Sequence, residues 1–237
     1  MHRIRAITLD LDDTLWAIGP VIERAEAKLW EWLTEHHPRI TDTFSAAGLR
    51  EVREAVIEEH WEKCYDFRFL RKKVLETIAV RSGYTPELVE PAFAVFDRAR
   101  NEVDFYPDVM PALEMLADDF ILVAVTNGNA DLETIGIRHL FHDVVAAADA
   151  GFAKPARPIF DQAIACTGCQ PAQILHVGDH PQIDVNGACE AGLRTAWINR
   201  NEHGWPEDLP RPDAVVTTIT ELQQLLQPAL RSIKQMS

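Results

Sequence analysis

Ile4-Arg-Ala-Ile-Thr-Leu9 runs directly into Asp10-Leu-Asp12-Asp-Thr14. A short apolar run with β-branched residues that ends abruptly at carboxylates reads as a buried strand stopping at a polar cluster. The pairing recurs along the chain. Ile121-Leu-Val-Ala-Val125 ends at Thr126-Asn127-Gly128, and Ile174-Leu-His-Val177 ends at Gly178-Asp179. Val144-Val-Ala-Ala-Ala148, Thr195–Ile198 and Ala214–Val216 are the other strand candidates. Helices are expected over about Asp108–Leu116, Pro158–Cys166, Asp184–Ala191 and Ile219–Leu226. Strands alternating with helices imply right-handed crossovers and a parallel sheet covered on both faces, so the expected class is α/β and doubly wound.

One block breaks the alternation. From about Val21 to Arg100 the apolar residues fall at helical spacing, as in Ile22, Ala25, Leu29, Trp32 and Leu33, then Leu49, Val52, Val56 and Ile57. Breaks are expected near His37-Pro38, Asp66 and Gly83 to Pro86. The expected division is therefore a catalytic core over 1–16 and 106–237, interrupted after its first strand by a helical cap over 17–105.

Composition narrows the function classes. The 237 residues are 47% apolar and 25% charged, which suits a folded chain rather than a disordered one. Thirty-seven acids against 23 bases leave a net charge of −14, which argues against nucleic acid as a partner. A small phosphorylated substrate stays compatible, because a metal ion and one or two local cations decide that contact. Four cysteines (Cys64, Cys166, Cys169 and Cys189) make no disulfide framework. The Cys166–Cys169 pair has C-x-x-C spacing but no second pair to complete a zinc site. No stretch approaches the roughly 20 apolar residues that span a bilayer, and Arg3 and Arg5 precede acids rather than an apolar leader. A cytoplasmic protein with no membrane partner is expected.

The chemistry gathers where strands end. Asp10, Asp12 and Thr14, then Thr126 and Asn127, then Lys154, then Asp179 and Asp184 each follow a strand candidate. In an open parallel sheet, ligands bind beyond the carboxyl ends of the strands, so these segments should converge in one crevice. Asp10 and Asp12 can both face it only if the chain leaves the extended form at Leu11. With Asp179 they offer hard oxygen ligands suited to Mg²⁺. Taken singly, D-x-D-D-T also fits a capped, solvated turn, Thr126-Asn127 a turn or cap, and Lys154 an exposed cation. Their joint order and placement weigh against those readings.

That order of motifs resembles the haloacid dehalogenase-like hydrolase superfamily, with Asp10-Leu-Asp12-Asp-Thr14, Thr126-Asn-Gly, Lys154-Pro and Gly178-Asp179-His-Pro-Gln-Ile-Asp184 in sequence. The resemblance implies a Rossmann-like core with an inserted helical cap of the first cap type. It also implies an aspartyl-phosphate mechanism: Asp10 as nucleophile and Asp12 as general acid, then base. Mg²⁺ would be held by the Asp10 carboxylate, the Asp12 backbone carbonyl and Asp179. Asp184 would act through water or by orienting Lys154. Thr126, the backbone of Asn127, and Lys154 would bind the phosphoryl group. Dehalogenases of the superfamily lack an acid two residues after the nucleophile, so Asp12 favours phosphate transfer. The role of His180 is left open.

Substrate choice should lie in the cap, where Trp61, Tyr65, Phe67 and Phe69 cluster with Arg68, Arg71, Lys72 and Lys73. These fit either cap core with a solvated basic face or a platform for a flat ring. Leu9–Leu15, Thr126–Ala130, Ile174–Asp179 and Ala196–Ile198 resemble bacterial phosphatases of flavin mononucleotide (FMN) and of the riboflavin precursor 5-amino-6-(5-phosphoribitylamino)uracil. The alternatives are a sugar-phosphate or nucleotide phosphatase or mutase of the same superfamily, and a non-hydrolytic phospho-acceptor of receiver type. Receiver domains are about half this length and carry no inserted cap.

Overall fold

The computed structural model describes residues 4–234, with side chains up to Gln227, so Arg3 and the outermost ends of the expected core (1–3 and 235–237) lie outside the described residues. In chain order the elements begin β1 (Ala6–Leu9), α1 (Ile18–His36), α2 (Pro38–Thr43), α3 (Ala46–Glu59), α4 (Phe67–Arg81), α5 (Val89–Arg100) and α6 (Val109–Asp119). They continue as β2 (Ile121–Thr126), α7 (Leu132–Ile135), β3 (Asp143–Ala146), α8 (Ala147–Ala150) and α9 (Arg157–Thr167). The last are β4 (Ile174–Gly178), α10 (Gly187–Glu190), β5 (Arg194–Ile198), β6 (Ala214–Val216) and α11 (Ile219–Lys234).

The six strands form one parallel sheet in the order β3-β2-β1-β4-β5-β6. Every residue of β1 is buried, which is why that strand reads as an unbroken apolar run rather than an alternation. The chain moves outward from β1 through β2 to β3, then crosses back to place β4 on the other side of β1. Right-handed crossovers put the helices of the two halves on opposite faces, and the order reverses between β1 and β4. A reversal of this kind opens a crevice at the carboxyl ends of those two strands. The registers Leu9↔Ala124 and Leu9↔Val177 bring Asp10, the end of β2 and Gly178 to that edge together.

Two expected elements differ. The strand expected over Val144–Ala148 runs instead from Asp143 to Ala146, and Ala147 begins a short helix closed by Gly151 at φ 75°. Alanine is the strongest helix former and a weak strand former, so its run passes to the helix once the sheet pairing ends. The helix expected over Asp184–Ala191 starts earlier, as a wide π-type turn over Pro181–Asn186 that leads into α10. Pro181 suits a first helical position, and the His180 ring accepts hydrogen bonds from the Gln182 and Ile183 amides, 3.2 Å each. His180, whose role the sequence left open, is thus a helix cap.

The backbone packs as two compact units. One holds the sheet, with Ala17, Asp104, Gly128 and Gly136 at its internal bounds, and the other comprises Ile18–Val103 with Asn129–Ile135. The expected cap over 17–105 did not include that second segment. Within the helical unit, Arg100 Nε donates to Asn129 Oδ1 at 3.1 Å, and the Asp131 amide donates to Asn101 Oδ1 at 2.8 Å. Ala25, Leu29 and Leu33 from α1 pack with Val52 and Val56 from α3, Leu75 and Ile78 from α4, and Phe93 and Phe96 from α5. Ser45 caps α3 and Asp66 caps α4, the latter at 2.9 Å from the Phe69 amide. The basic run on α4 is a partly solvated face that also packs on the core: Arg68, Lys72 and Lys73 stay partly exposed, while the Arg71 guanidinium lies 3.9 Å over Phe96, and Lys72 Nζ lies 4.8 Å from Phe93 and 2.8 Å from Glu90. Of the aromatic cluster, Phe69 packs on this core while Trp61 and Phe67 are exposed.

Candidate active site

Asp10 is the first residue past β1, and its amide donates to the Val177 carbonyl at 2.9 Å. The extended form ends there. Leu15 donates back to the Leu11 carbonyl at 2.7 Å, and Asp13 takes a left-handed conformation with φ 60°. This turn brings Thr14 Oγ1 to donate to Asp10 Oδ2 at 3.0 Å. It also points the Asp12 carboxylate to the Trp16 indole, whose Nε1 donates to Oδ1 at 2.9 Å. Arg200 holds the turn from outside: Nε donates to the Thr14 carbonyl at 2.9 Å while both terminal nitrogens donate to Asp108.

Lys154 supplies the buried cation. Its Nζ donates to Asp10 Oδ1 at 2.6 Å and to Asp184 Oδ1 at 2.7 Å, and the three side chains are almost wholly buried, Lys154 at 3% exposure. The Asn127 side chain clamps the Lys154 backbone reciprocally, accepting from its amide at 2.7 Å and donating to its carbonyl at 2.9 Å. Thr126 is buried, and its Oγ1 accepts from the Gly128 amide at 2.9 Å, leaving its hydroxyl proton for another acceptor.

Asp184 crosses directly over Gly178. A β-carbon at 178 would lie 2.3 Å from the Asp184 carboxyl carbon, so only glycine lets the carboxylate reach Lys154. The second Asp184 oxygen accepts from the His180 amide at 3.0 Å. Carboxylate oxygens of Asp10, Asp179 and Asp184 come within 4.8 Å of one another, the one cluster of possible metal ligands found among the described residues. The Asp12 carboxylate is not in that cluster. Nor is the Cys166–Cys169 pair: all four cysteines are free thiols, and burial with the nearby Asp143 pushes the Cys166 thiol up to about 11.

The charges are unequally satisfied. Burial, then repulsion from Asp184 and Asp179, pushes Asp10 up to about 8 against the pull of Lys154. Burial, then Asp184 and Asp13, pushes Asp179 up to about 7. For Asp184 the cost of burial is outweighed by Lys154 and by His176, and its carboxyl stays below the usual range. Lys154 is likewise held above its ordinary value by Asp10 and Asp184, which overcome the effect of burial. One buried ammonium thus faces three carboxylates. That imbalance suits a divalent cation with oxygen ligands.

Sequence reasoning missed His176, which lies inside β4, and the Trp197 indole, which donates to the Asp179 carbonyl at 2.7 Å. A polar residue in an otherwise apolar central strand was the available signal for His176.

Comparison with known proteins gives this geometry a family. The sequence profile of haloacid dehalogenase-like hydrolases matches residues 4–192. The chain belongs to that family. Among its relatives is the 5-amino-6-(5-phospho-D-ribitylamino)uracil phosphatase YigB of Escherichia coli (strain K12), 34% identical across 86% of this chain and 87% of that protein. A glyceraldehyde 3-phosphate phosphatase of Methanopyrus kandleri is 30% identical across 92% of this chain and 98% of its own. Among solved structures of the family, a 2-haloacid dehalogenase from Pseudomonas syringae pv. Tomato DC3000 superposes with a TM-score of 0.90 at 35% identity, covering 95% of this chain and 99% of that one. The phosphatase from Thermococcus onnurineus, at 23% identity and a TM-score of 0.71, shares the fold.

Proposed function

We propose that the chain hydrolyses a small phosphoric monoester in a Mg²⁺-dependent reaction through an aspartyl-phosphate on Asp10. The coarser part rests on the family and its relatives: this is a phosphatase of small phosphorylated metabolites. The observation that carries the finer reading is the buried Asp10, held by Lys154 and Thr14 beside Asp179 and Asp184 at the sheet's switch point.

Asp10 and Asp179 would hold the cation directly, with the Asp12 backbone carbonyl, while Asp184 is engaged by Lys154 and the His180 amide. When bound, the cation offsets repulsion between the carboxylates and an anionic phosphate, and keeps Asp10 ionised at neutral pH. The Asp10 carboxylate then attacks phosphorus, and the bond from phosphorus to the ester oxygen breaks. Protonated Asp12 gives its proton to that oxygen, and ionised Asp12 later takes one from the water that attacks the aspartyl-phosphate. The Trp16 indole holds Asp12 in a fixed orientation for both transfers. Thr126 O–H and Lys154 Nζ stabilise the transferring phosphoryl group, and Asn127 keeps Lys154 in register by gripping its backbone.

Within this reading, YigB points to 5-amino-6-(5-phosphoribitylamino)uracil as the ester, the motif resemblance adds FMN, and the exposed Trp61 and Phe67 offer ring surfaces in the cap. A second reading has one observation in its favour, the 35% identity with a protein named a 2-haloacid dehalogenase. Asp12 weighs against it, because a halide leaves without a proton. The test is phosphate release from p-nitrophenyl phosphate, FMN, sugar phosphates and nucleotides, beside halide release from a 2-haloacid, with and without Mg²⁺ and for Asp10→Asn. Mg²⁺-dependent phosphate release that disappears in the mutant, with no halide released, is expected. Halide release without phosphate release would transfer the chain to the second reading, and equal turnover of FMN and unrelated sugar phosphates would remove the flavin assignment.

A further inference from the structure

Thr8 and His176 are register partners on the two central strands, β1 and β4, and both side chains are fully buried. Thr8 Oγ1 lies 2.9 Å from His176 Nδ1, and His176 Nε2 lies 3.3 Å from Asp184 Oδ1. That same oxygen receives Lys154 Nζ, whose other partner is Asp10. A continuous buried chain of hydrogen bonds therefore runs from Thr8 through His176, Asp184 and Lys154 to Asp10. The imidazole is fixed from a third side: Phe160 packs its ring edge-on at 5.2 Å between centroids and 88° between planes. Gly187 permits that packing, since a β-carbon there would lie 2.8 Å from Phe160 and 2.9 Å from Pro155, the residue after Lys154.

We infer that His176 is a positioning residue that, with Thr8, sets the Asp184 carboxylate so that Lys154 stays aimed at Asp10. The inference rests on the reading of Asp10 as the nucleophile. The tautomer follows from the neighbours. An ion-paired carboxylate oxygen offers His176 an acceptor only, so Nε2 carries the proton and bare Nδ1 accepts from the Thr8 hydroxyl. His176 touches neither the reacting atoms nor the substrate, and its effect should fall on turnover rather than on binding. Partners at this remove from the reacting groups are typically worth ~10–100-fold.

The test uses the full chain and p-nitrophenyl phosphate. His176→Phe, which keeps a ring but removes both nitrogens, should lower kcat by ~10–100-fold with KM changed less than about threefold. His176→Gln, which can still present an N–H to Asp184, should recover part of the loss. Thr8→Val should lower kcat less, and combined with His176→Phe should add nothing further, as expected of residues in one chain. Wild-type kcat in a folded His176→Phe, or fully additive effects of the two substitutions, would overturn the inference. A second readout needs no activity: ¹⁵N NMR of wild-type His176 should show a protonated Nε2 and a bare Nδ1, and Asp184→Asn should shift the Nε2 signal. A proton on Nδ1 alone would overturn the inference. If the wild-type releases no phosphate at all, the phosphatase reading fails, and the NMR result still decides whether His176 orients Asp184.

Discussion

The sheet unit and the helical unit handle charge in opposite ways. In the sheet unit a cation and its carboxylates are buried and bonded to one another across long separations, 144 residues between Asp10 and Lys154 and 168 between Thr8 and His176. In the helical unit Arg100 is buried and bonded to Asn129, but the ion pairs lie at or near the surface, formed across neighbouring helices and laid over aromatic rings, as with Glu26, Arg53, Arg71 and Phe96. The apolar interior there carries the stability. A buried ion cluster fails as a whole when one member is removed, because the remaining charge has no solvent to turn to. A surface pair is worth little, since water replaces it. The polar chemistry of this chain is therefore concentrated where substitution costs most.

Lys154→Met is the most direct way to break that contrast. It leaves Asp10 and Asp184 without their cation, so activity should be lost and stability should fall by about 3–5 kcal/mol. For a chain of this length that is a Tm loss on the order of 10 °C. A fully stable variant would mean that the cluster is not the tightly coupled unit described.

The next largest effect is the pH dependence of stabilisation by Mg²⁺. Asp10 and Asp179 sit above their ordinary value of 3.8, at about 8 and about 7. A carboxyl raised in the folded state contributes stability that is present at low pH and lost as pH rises through the folded value. Without a cation, stability should therefore decline toward pH 8. Cation binding must expel those protons, so the rise in Tm on adding Mg²⁺ should be small near about pH 5.5 and large near about pH 8. At 100-fold saturation it should approach ~2.7 kcal/mol. Equal shifts at both pH values, read by thermal melts with EDTA and with Mg²⁺, would contradict this electrostatic picture.

The smallest effect belongs to the helical unit. Glu26→Gln weakens the pairing with Arg53 and Arg71 but leaves Arg53 near water and Arg71 on Phe96, with the new side-chain amide oxygen still able to accept from it. A loss of about 1 kcal/mol is expected, or ~2–4 °C in a melt, with turnover unaffected. A loss approaching that of Lys154→Met would erase the distinction between the units.

The same contrast explains what could be read from the sequence. Short apolar runs located the strands, with β3 displaced, and the order of the polar clusters that follow four of them announced a shared crevice. The structure brings Asp10, Lys154, Asp179 and Asp184 into one cluster and sets Asp12 on Trp16 beside it. What escaped has a common cause: it depends on contacts between segments distant in sequence. His176 looks like one polar residue in a core strand until Thr8 and Asp184 stand on either side of it. Asn127 reads as a phosphate-binding residue through its backbone, and nothing local shows that its side chain also grips the Lys154 backbone. Residues 129–135 join the helical unit through Arg100 and Asn101, a partnership with no local periodicity to reveal it.

The central claim is that Asp10 becomes phosphorylated during turnover. Rapid acid quenching of the enzyme with p-nitrophenyl phosphate and Mg²⁺, followed by peptide mass spectrometry, tests it most directly. The expected result is a phosphoryl group on the peptide carrying Asp10, absent without Mg²⁺ and absent in Asp10→Asn, which should also lose roughly 10⁴-fold or more in turnover. Steady phosphate release by Asp10→Asn at a rate near wild type, with no phosphoryl group on the protein, would contradict it.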